Sequence, residues 1–144
     1  MRRVERRSVI ASVNKEYDVI VVGSGSGAII VDHALDQGLT VAMIDHGPLG
    51  GTCKNVGCIP SKMVIVPADR VMDIREAGKL GITAEIRSID FLYIMERMRH
   101  QRLQDRELLK QQITEIPSLD YYDQTAHFVS ERTLQIGDNR LHGD

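Results

Sequence analysis

The chain carries almost no net charge: 18 Lys and Arg against 20 Asp and Glu leave −2 at neutral pH. No bulk field therefore draws it to nucleic acid or to a membrane surface. It has no apolar run near the ~20 residues that a membrane-spanning helix requires. Internal repeats and low-complexity tracts are missing too. Cysteine is scarce: Cys53 and Cys58 are the only two, far too few for the disulfide scaffold of a small secreted protein. The N-terminus does not read as a secretion signal either. Arg2, Arg3, Arg6 and Arg7 are followed by residues 8–13, too short a stretch, and one broken by Ser12, for an apolar core of about 7–15 residues. Glu5 argues against a transit peptide. What remains is an ordinary globular composition, 42% hydrophobic with a mean hydropathy of −0.18, and enough residues for one domain with a modest core. Residues 1–15 are expected to be a flexible basic tail and residues 16–144 the domain, in a cytoplasmic protein that binds neither nucleic acid nor membrane.

Hydrophobic patterning then supplies the order of elements. Residues 17–22, Y-D-V-I-V-V, form a β-branched run of the buried parallel type. A glycine-rich turn follows, then an expected helix over 28–37 closed by Gly38, then a second buried strand over 39–44. Together they make a β-α-β unit of the right-handed kind. Residues 47–61 read as a Gly- and Pro-containing loop that holds both cysteines. A helix is expected over 62–79, with Pro67 as a kink. Ser88 is the expected cap of a long helix reaching about 115, whose charged middle (97–107) reads as a solvated face. Short strands are expected at 119–122, 126–129 and 133–136, separated by polar turns, with another beginning at Arg140. A sequence that stops inside an element suggests a fragment.

The turn is chemically specific. Gly23, Gly25 and Ala28 fit G-x-G-x-x-(G/A) immediately after a strand and at the head of a helix. The first glycine permits the tight turn, the second lets backbone approach a pyrophosphate, and the small third residue lets helix and strand pack. Helix N–H groups favour the anion there. Asp45, 22 positions after Gly23, closes the second strand, where a carboxylate accepts from a ribose diol. This motif by itself does not separate NAD from FAD.

Two thiols five positions apart, without a secretion signal, point to redox chemistry or to a metal. Zinc sites show tighter C-x₂₋₄-C spacing and a second ligand pair, so a metal is not expected, even with His33 and His46 available. The run G-G-T-C-K-N-V-G-C-I-P-S-K over residues 50–62 closely resembles the redox-disulfide signature of the class I pyridine nucleotide-disulfide oxidoreductases. That family includes dihydrolipoamide dehydrogenase, mycothione reductase and mercuric reductase, and the M-V-I-V-P-A-D-R stretch that follows is similar to the first two. The resemblance implies a Rossmann-like FAD-binding βαβ unit with a long helix and a small antiparallel β-meander, an incomplete doubly wound α/β domain. It implies that Cys53 attacks the substrate disulfide while Cys58 faces the flavin, as the two halves of a redox-active disulfide. Lys62 matches the lysine beside the flavin ring, and Gly51 and Thr52 the cofactor lining. Asp45 stands where the family more often has glutamate. Ala126 matches a backbone contact to adenosine, although Gln124 replaces the glycine usual two positions earlier.

Physical chemistry supports redox work for the pair. In an ideal helix, residues five apart have Cα atoms about 8–9 Å from each other, whereas a disulfide needs roughly 4.4–6.8 Å. The pair thus requires a non-ideal turn, which Gly57 allows. Closing so short a loop stabilises the fold by only about 2 kcal/mol, and a strained, accessible disulfide is the labile, catalytic sort. A thiolate near a helix start is also expected to have a depressed pKa.

By resemblance the chain corresponds to the first part of the family polypeptide. The later strand and G-D segment of the FAD domain, the NAD(P)H domain and the dimerisation domain with its His-Glu pair have no counterpart here. The expectation is therefore a fragment, inactive alone, of an enzyme that passes electrons between NAD(P)H, FAD and a small-molecule or protein-bound disulfide, and that is a homodimer in full-length relatives. Two other readings are a non-catalytic remnant that kept the motifs and a dinucleotide-binding module with a thiol switch.

Overall fold

The computed structural model describes residues 14–144. Most of the expected tail, residues 1–13, lies outside them, but Asn14 and Lys15 belong to the domain. The apolar run at 17–22 is not one strand. It divides at Asp18 into β1 (Asn14–Tyr17) and β2 (Val19–Val22). The Asp18 carboxylate accepts from the Thr40 N–H at 2.7 Å and from its hydroxyl at 2.6 Å, which bends the chain between two sheets. Helix α1 (Ala28–Asp36) and strand β3 (Val41–Asp45) complete the expected unit, with β2 and β3 parallel and Val19 opposite Val41.

Strand β4 (Leu119–Asp123) corrects the expected meander. It lies parallel to β3, Leu119 opposite Val41 and Asp123 opposite Asp45, so the nucleotide-type sheet has three strands in the order β2-β3-β4. The reason is topological. The helical excursion between β3 and β4 is a crossover, and a crossover returns a strand parallel. The second sheet runs β1-β7-β6-β5, where β5 (His127–Ser130), β6 (Thr133–Ile136) and β7 (Asn139–Gly143) are successive antiparallel neighbours and β1 adds parallel to β7.

Strand β3 is buried on both faces, and its side chains alternate between two cores. Val41 and Met43 pack with Val21, Val31, Ala34, Ile113 and Leu119 under the helices. Ala42 and Ile44 pack with Tyr17, Leu134, Ile136 and Leu141 of the second sheet. The layers are therefore helix, parallel sheet, mixed sheet.

The segment expected as a loop at 47–61 contains α2 (Gly51–Asn55) and the start of α3 (Cys58–Glu76). Pro60 sits in the first turn of α3, where its missing N–H costs nothing, and Pro67 lies inside the helix without ending it. A 3₁₀ turn (Ala77–Leu80) follows. Helix α4 (Phe91–Thr114) is capped by Asp90, not Ser88: the Asp90 carboxylate accepts from Tyr93 N–H at 2.9 Å. Ile59 shares a cleft with Leu108 and Leu109 at one end, and Val71 shares another with Phe91 at the other end, so α3 and α4 pack antiparallel. Met98 is buried, whereas Met72 is half exposed.

One polar cluster joins the two sheets. The Tyr17 hydroxyl donates to Asp120 Oδ2 and lies 2.6 Å from the Tyr122 hydroxyl, while Lys15 Nζ reaches the same carboxylate oxygen at 2.9 Å. Burial, with Asp120 beside it, holds the Tyr17 hydroxyl well above the usual phenol range. Tyr17, then Lys15, hold the Asp120 carboxyl below its ordinary value. A carboxylate depressed in the folded state contributes stability above its unfolded pKa of about 3.9, and that stability is lost as pH falls through the folded value. Tyr17→Phe is expected to destabilise the fold by about 1–2 kcal/mol at neutral pH. Asp120→Asn should flatten the loss of melting temperature below about pH 4. Melting curves between neutral and acid pH check both, and an Asp120→Asn profile parallel to the native one would contradict the assignment.

Candidate functional site

The glycine turn leaves β2 at Gly23, whose φ of 101° is a left-handed conformation that glycine adopts freely. Its N–H donates to Ile44 O at 2.7 Å, which ties the turn to the end of β3. The small residue that lets helix and strand approach is Gly27. A Cβ there would stand 2.7 Å from both Gly23 O and Val21 Cγ1. Ala28, assigned that task from the motif, is the half-buried first residue of α1, its N–H bonded to Gly25 O at 3.2 Å.

Asp45 reaches back across the turn. One oxygen accepts from the Ser24 N–H at 2.7 Å and from the Ser24 hydroxyl, and the other from Gly47 N–H at 2.9 Å. Burial pushes its carboxyl up, but these donors outweigh burial and hold it below the ordinary carboxylate range. Asp45 is therefore ionised at neutral pH, and a carboxylate with three donors keeps acceptor capacity for a diol.

The thiol helix docks onto the same turn. Gly51 has φ 60°, and a Cβ on it would lie 2.6 Å from Gly25 Cα. Asn55, buried, holds this approach by donating from Nδ2 to the carbonyls of Pro48, Leu49 and Gly51 at 3.0, 2.8 and 2.9 Å. The result is an open cleft of about 450 Å³ lined by residues 22–27, Asp45 and residues 51–53. Gly23, Gly25, Asp45, Gly51, Thr52 and Cys53, six of the residues singled out from sequence, meet there. Ala28, Cys58, Lys62 and Ala126 are not in its lining. Ala126 packs against the core around Ala42 and Ile44.

Cys53 and Cys58 are both exposed free thiols. Helix α2 ends after Asn55, Gly57 turns the chain, and α3 begins at Cys58. The space at Gly57 is small: a Cβ would sit 3.0 Å from Thr52 O and 3.4 Å from Cys53 Cα. The broken helix brings Cys58 near enough to act on the Cys53 thiol. That neighbour raises the Cys53 pKa above the ordinary thiol value, against the pull of Lys62. The expectation of a depressed thiolate thus fails at Cys53 in the dithiol form, because the neighbouring thiol outweighs the lysine.

Sequence reasoning missed Ser24, Gly27 and Asn55. Gly27 was visible as a second small residue beside Ala28. The two polar residues gave no signal, because their roles depend on how the chain folds back: Ser24 bonds the Asp45 carboxylate and Gly50 N–H, and Asn55 the carbonyls of Pro48, Leu49 and Gly51. The close approach gives a sharp expectation. Gly51→Ala should destabilise the protein by at least about 2 kcal/mol, from positive φ and from contact with backbone that has no room to retreat. Gly78→Ala, with nothing within 4 Å of its Cβ, should stay within about 0.5 kcal/mol. Denaturant unfolding of the two variants measures the difference, and equal stabilities would contradict the packing described.

Comparison with known proteins agrees with this arrangement. The described fold matches the HOCl-induced flavoprotein disulfide reductase RclA from Escherichia coli with a TM-score of 0.69 over 88% of this chain and 26% of that one, at 24% identity. Dihydrolipoyl dehydrogenase of Chlamydia muridarum (strain MoPn / Nigg) is 38% identical over 86 residues, which are 59% of this chain and 18% of that protein. The Staphylococcus aureus dihydrolipoyl dehydrogenase is 36% identical over 89 residues, 61% of this chain and 19% of that protein. The chain thus spans less than a fifth of the length of these curated relatives. The family model for pyridine nucleotide-disulphide oxidoreductase matches residues 17–135, and the chain, with its glycine turn, acidic strand end and paired thiols, belongs to that family.

Proposed function

We propose that this chain provides the flavin cradle and the redox dithiol of an FAD-dependent disulfide oxidoreductase of the dihydrolipoamide dehydrogenase type. The observation that carries this reading is that the phosphate-type turn, Asp45 and Cys53 line one cleft. The cleft fits the nucleotide end of FAD. Close packing at Gly25 and Gly51 keeps it free of side chains on that side, the backbone of residues 25–27 that leads into α1 lines it where the helix dipole favours a pyrophosphate, and ionised Asp45 accepts from ribose hydroxyls. FAD, when bound, supplies a two-electron couple. Gly23, Gly25, Asp45, Gly51 and Thr52 hold it in this reading, and Lys62 contributes positive charge near the thiols. By the family match, Ala28 closes the glycine motif and the backbone at Ala126 meets the adenosine part of FAD.

The chain's own part of the chemistry is thiol exchange. Cys53 as thiolate attacks one sulfur of a substrate disulfide, forming a mixed disulfide and releasing one thiol. Cys58 then attacks the Cys53 sulfur and releases the second, which leaves the Cys53–Cys58 disulfide and a substrate reduced by two electrons. Gly57 makes this possible by admitting Cys58 beside Cys53. Lys62 favours the Cys53 thiolate. A second nucleotide site for NAD(P)H, the acid-base pair and the homodimer belong to parts of the family polypeptide beyond the stretch matched here, so the 144-residue polypeptide alone should not oxidise NADH or NADPH.

Two outcomes follow. Asp45→Ala should weaken FAD binding by about 1.5–3 kcal/mol, the worth of a charged hydrogen bond, and Gly25→Val by at least as much, because its side chain enters the cleft. A flavin-fluorescence titration reads this, and unchanged affinity in both would refute the assignment. Mild oxidation of the native protein should convert its two thiols into one intramolecular disulfide, detected as loss of both thiols by titration without dimer formation. Two free thiols after oxidation would exclude the exchange reaction.

A further inference from the structure

Among the described residues two polar side chains are buried, Ser24 and Asn55, and both serve one junction. The Ser24 hydroxyl donates to Asp45 Oδ2 and accepts from Gly50 N–H at 3.0 Å. The Ser24 N–H donates to the same carboxylate oxygen at 2.7 Å. Asp45 ends β3 at the nucleotide side of the cleft, while Gly50 is the left-handed turn, φ 95°, from which α2 and Cys53 start. A single hydroxyl therefore touches both the acid placed for a ribose and the turn that aims the thiol helix. At 3% exposure, losing it leaves Gly50 N–H without its acceptor and removes one donor from the carboxylate.

We propose that Ser24 is a positioning residue that locks Asp45 and the first turn of the thiol helix to the glycine turn, so that nucleotide affinity and Cys53 chemistry depend together on one hydroxyl. This rests on the flavin reading above for its nucleotide half only. Asn55 fixes the same turn from the opposite side through the Leu49 and Gly51 carbonyls, which keeps α2 formed when the hydroxyl is removed but not held in register. The groups that face the Cys53 thiol are Cys58 and Lys62, both from α3. Contact with Cys58 depends on where α2 sits. Once α2 loosens, that contact weakens while Lys62 still attracts a thiolate, and Cys53 titrates lower.

The test uses the full chain, reduced, in three forms: native, Ser24→Ala and Asp45→Asn. FAD affinity is measured by fluorescence titration, and alkylation of Cys53 and Cys58 by iodoacetamide is followed against pH by peptide mass in nucleotide-free protein. Ser24→Ala is expected to weaken FAD binding about tenfold and to shift the midpoint of Cys53 alkylation to lower pH. Asp45→Asn is expected to weaken FAD binding and to leave the Cys53 midpoint in place, because the Ser24–Gly50 bond survives. The proposal is overturned if Ser24→Ala moves only one of the two quantities, or if Asp45→Asn moves the Cys53 midpoint as far. Amide exchange at Gly50 in the native protein needs no variant: protection supports the bond to Ser24, and exchange at the open-chain rate overturns it. A native protein without FAD affinity would refute the flavin reading and the nucleotide half with it. The Cys53 midpoint and the Gly50 exchange would then decide the role of Ser24 in the thiol turn.

Discussion

Two stretches of backbone, Gly25 in the phosphate-type turn and Gly51 at the head of the thiol helix, approach so closely that a methyl group on Gly51 would lie 2.6 Å from Gly25 Cα. The cleft exists because of that approach. It places Thr52 and Cys53 on the wall opposite the glycine turn and keeps the space between free of side chains. Backbone so close needs its polar groups satisfied locally. The two buried polar side chains do this, Ser24 from the turn and Asn55 from α2, and Asp45 is held by the same set of bonds.

The rest of the fold supports this junction from below. The glycine turn is anchored because β2 and β3 are paired and Gly23 N–H reaches Ile44 O. Strand β3 is held between two cores, with valine and methionine toward the helices and alanine and isoleucine toward the second sheet. The Tyr17–Asp120 hydrogen bond adds a directional tie where apolar packing gives none. Strand β4 brings Asp123 beside Asp45 at the carboxyl end of the sheet, the edge where open α/β sheets bind ligands.

Legibility in the sequence followed the range of the interaction. The β-α-β unit, the glycine turn, Asp45 and the cysteine pair were readable because each rests on local spacing: a strand run, a turn, a loop of fixed length. The strand break at Asp18 was not, because it depends on a bond to Thr40, which only folding brings near. The place of β4 was missed for a similar reason, since nothing within residues 119–123 distinguishes a meander strand from one delivered by a crossover. The helical character of 51–60 was hidden by its glycines and proline, whose helix-breaking tendency is overridden when glycine occupies the turns and proline the first helical turn. Ser24 and Asn55 looked like ordinary loop residues, because their partners are carbonyls, N–H groups and a carboxylate elsewhere in the cleft.

The central claim is that the glycine turn and the thiol helix form a single nucleotide-binding cleft. Amide chemical-shift mapping of the reduced chain during titration with FAD tests it most directly. The account predicts that the largest shifts cluster at residues 23–27, Asp45 and residues 51–53, with small changes along the α3–α4 groove lined by Val64, Val71 and Phe91. Shifts concentrated in that groove, or no saturable shifts around the glycine turn, would contradict it.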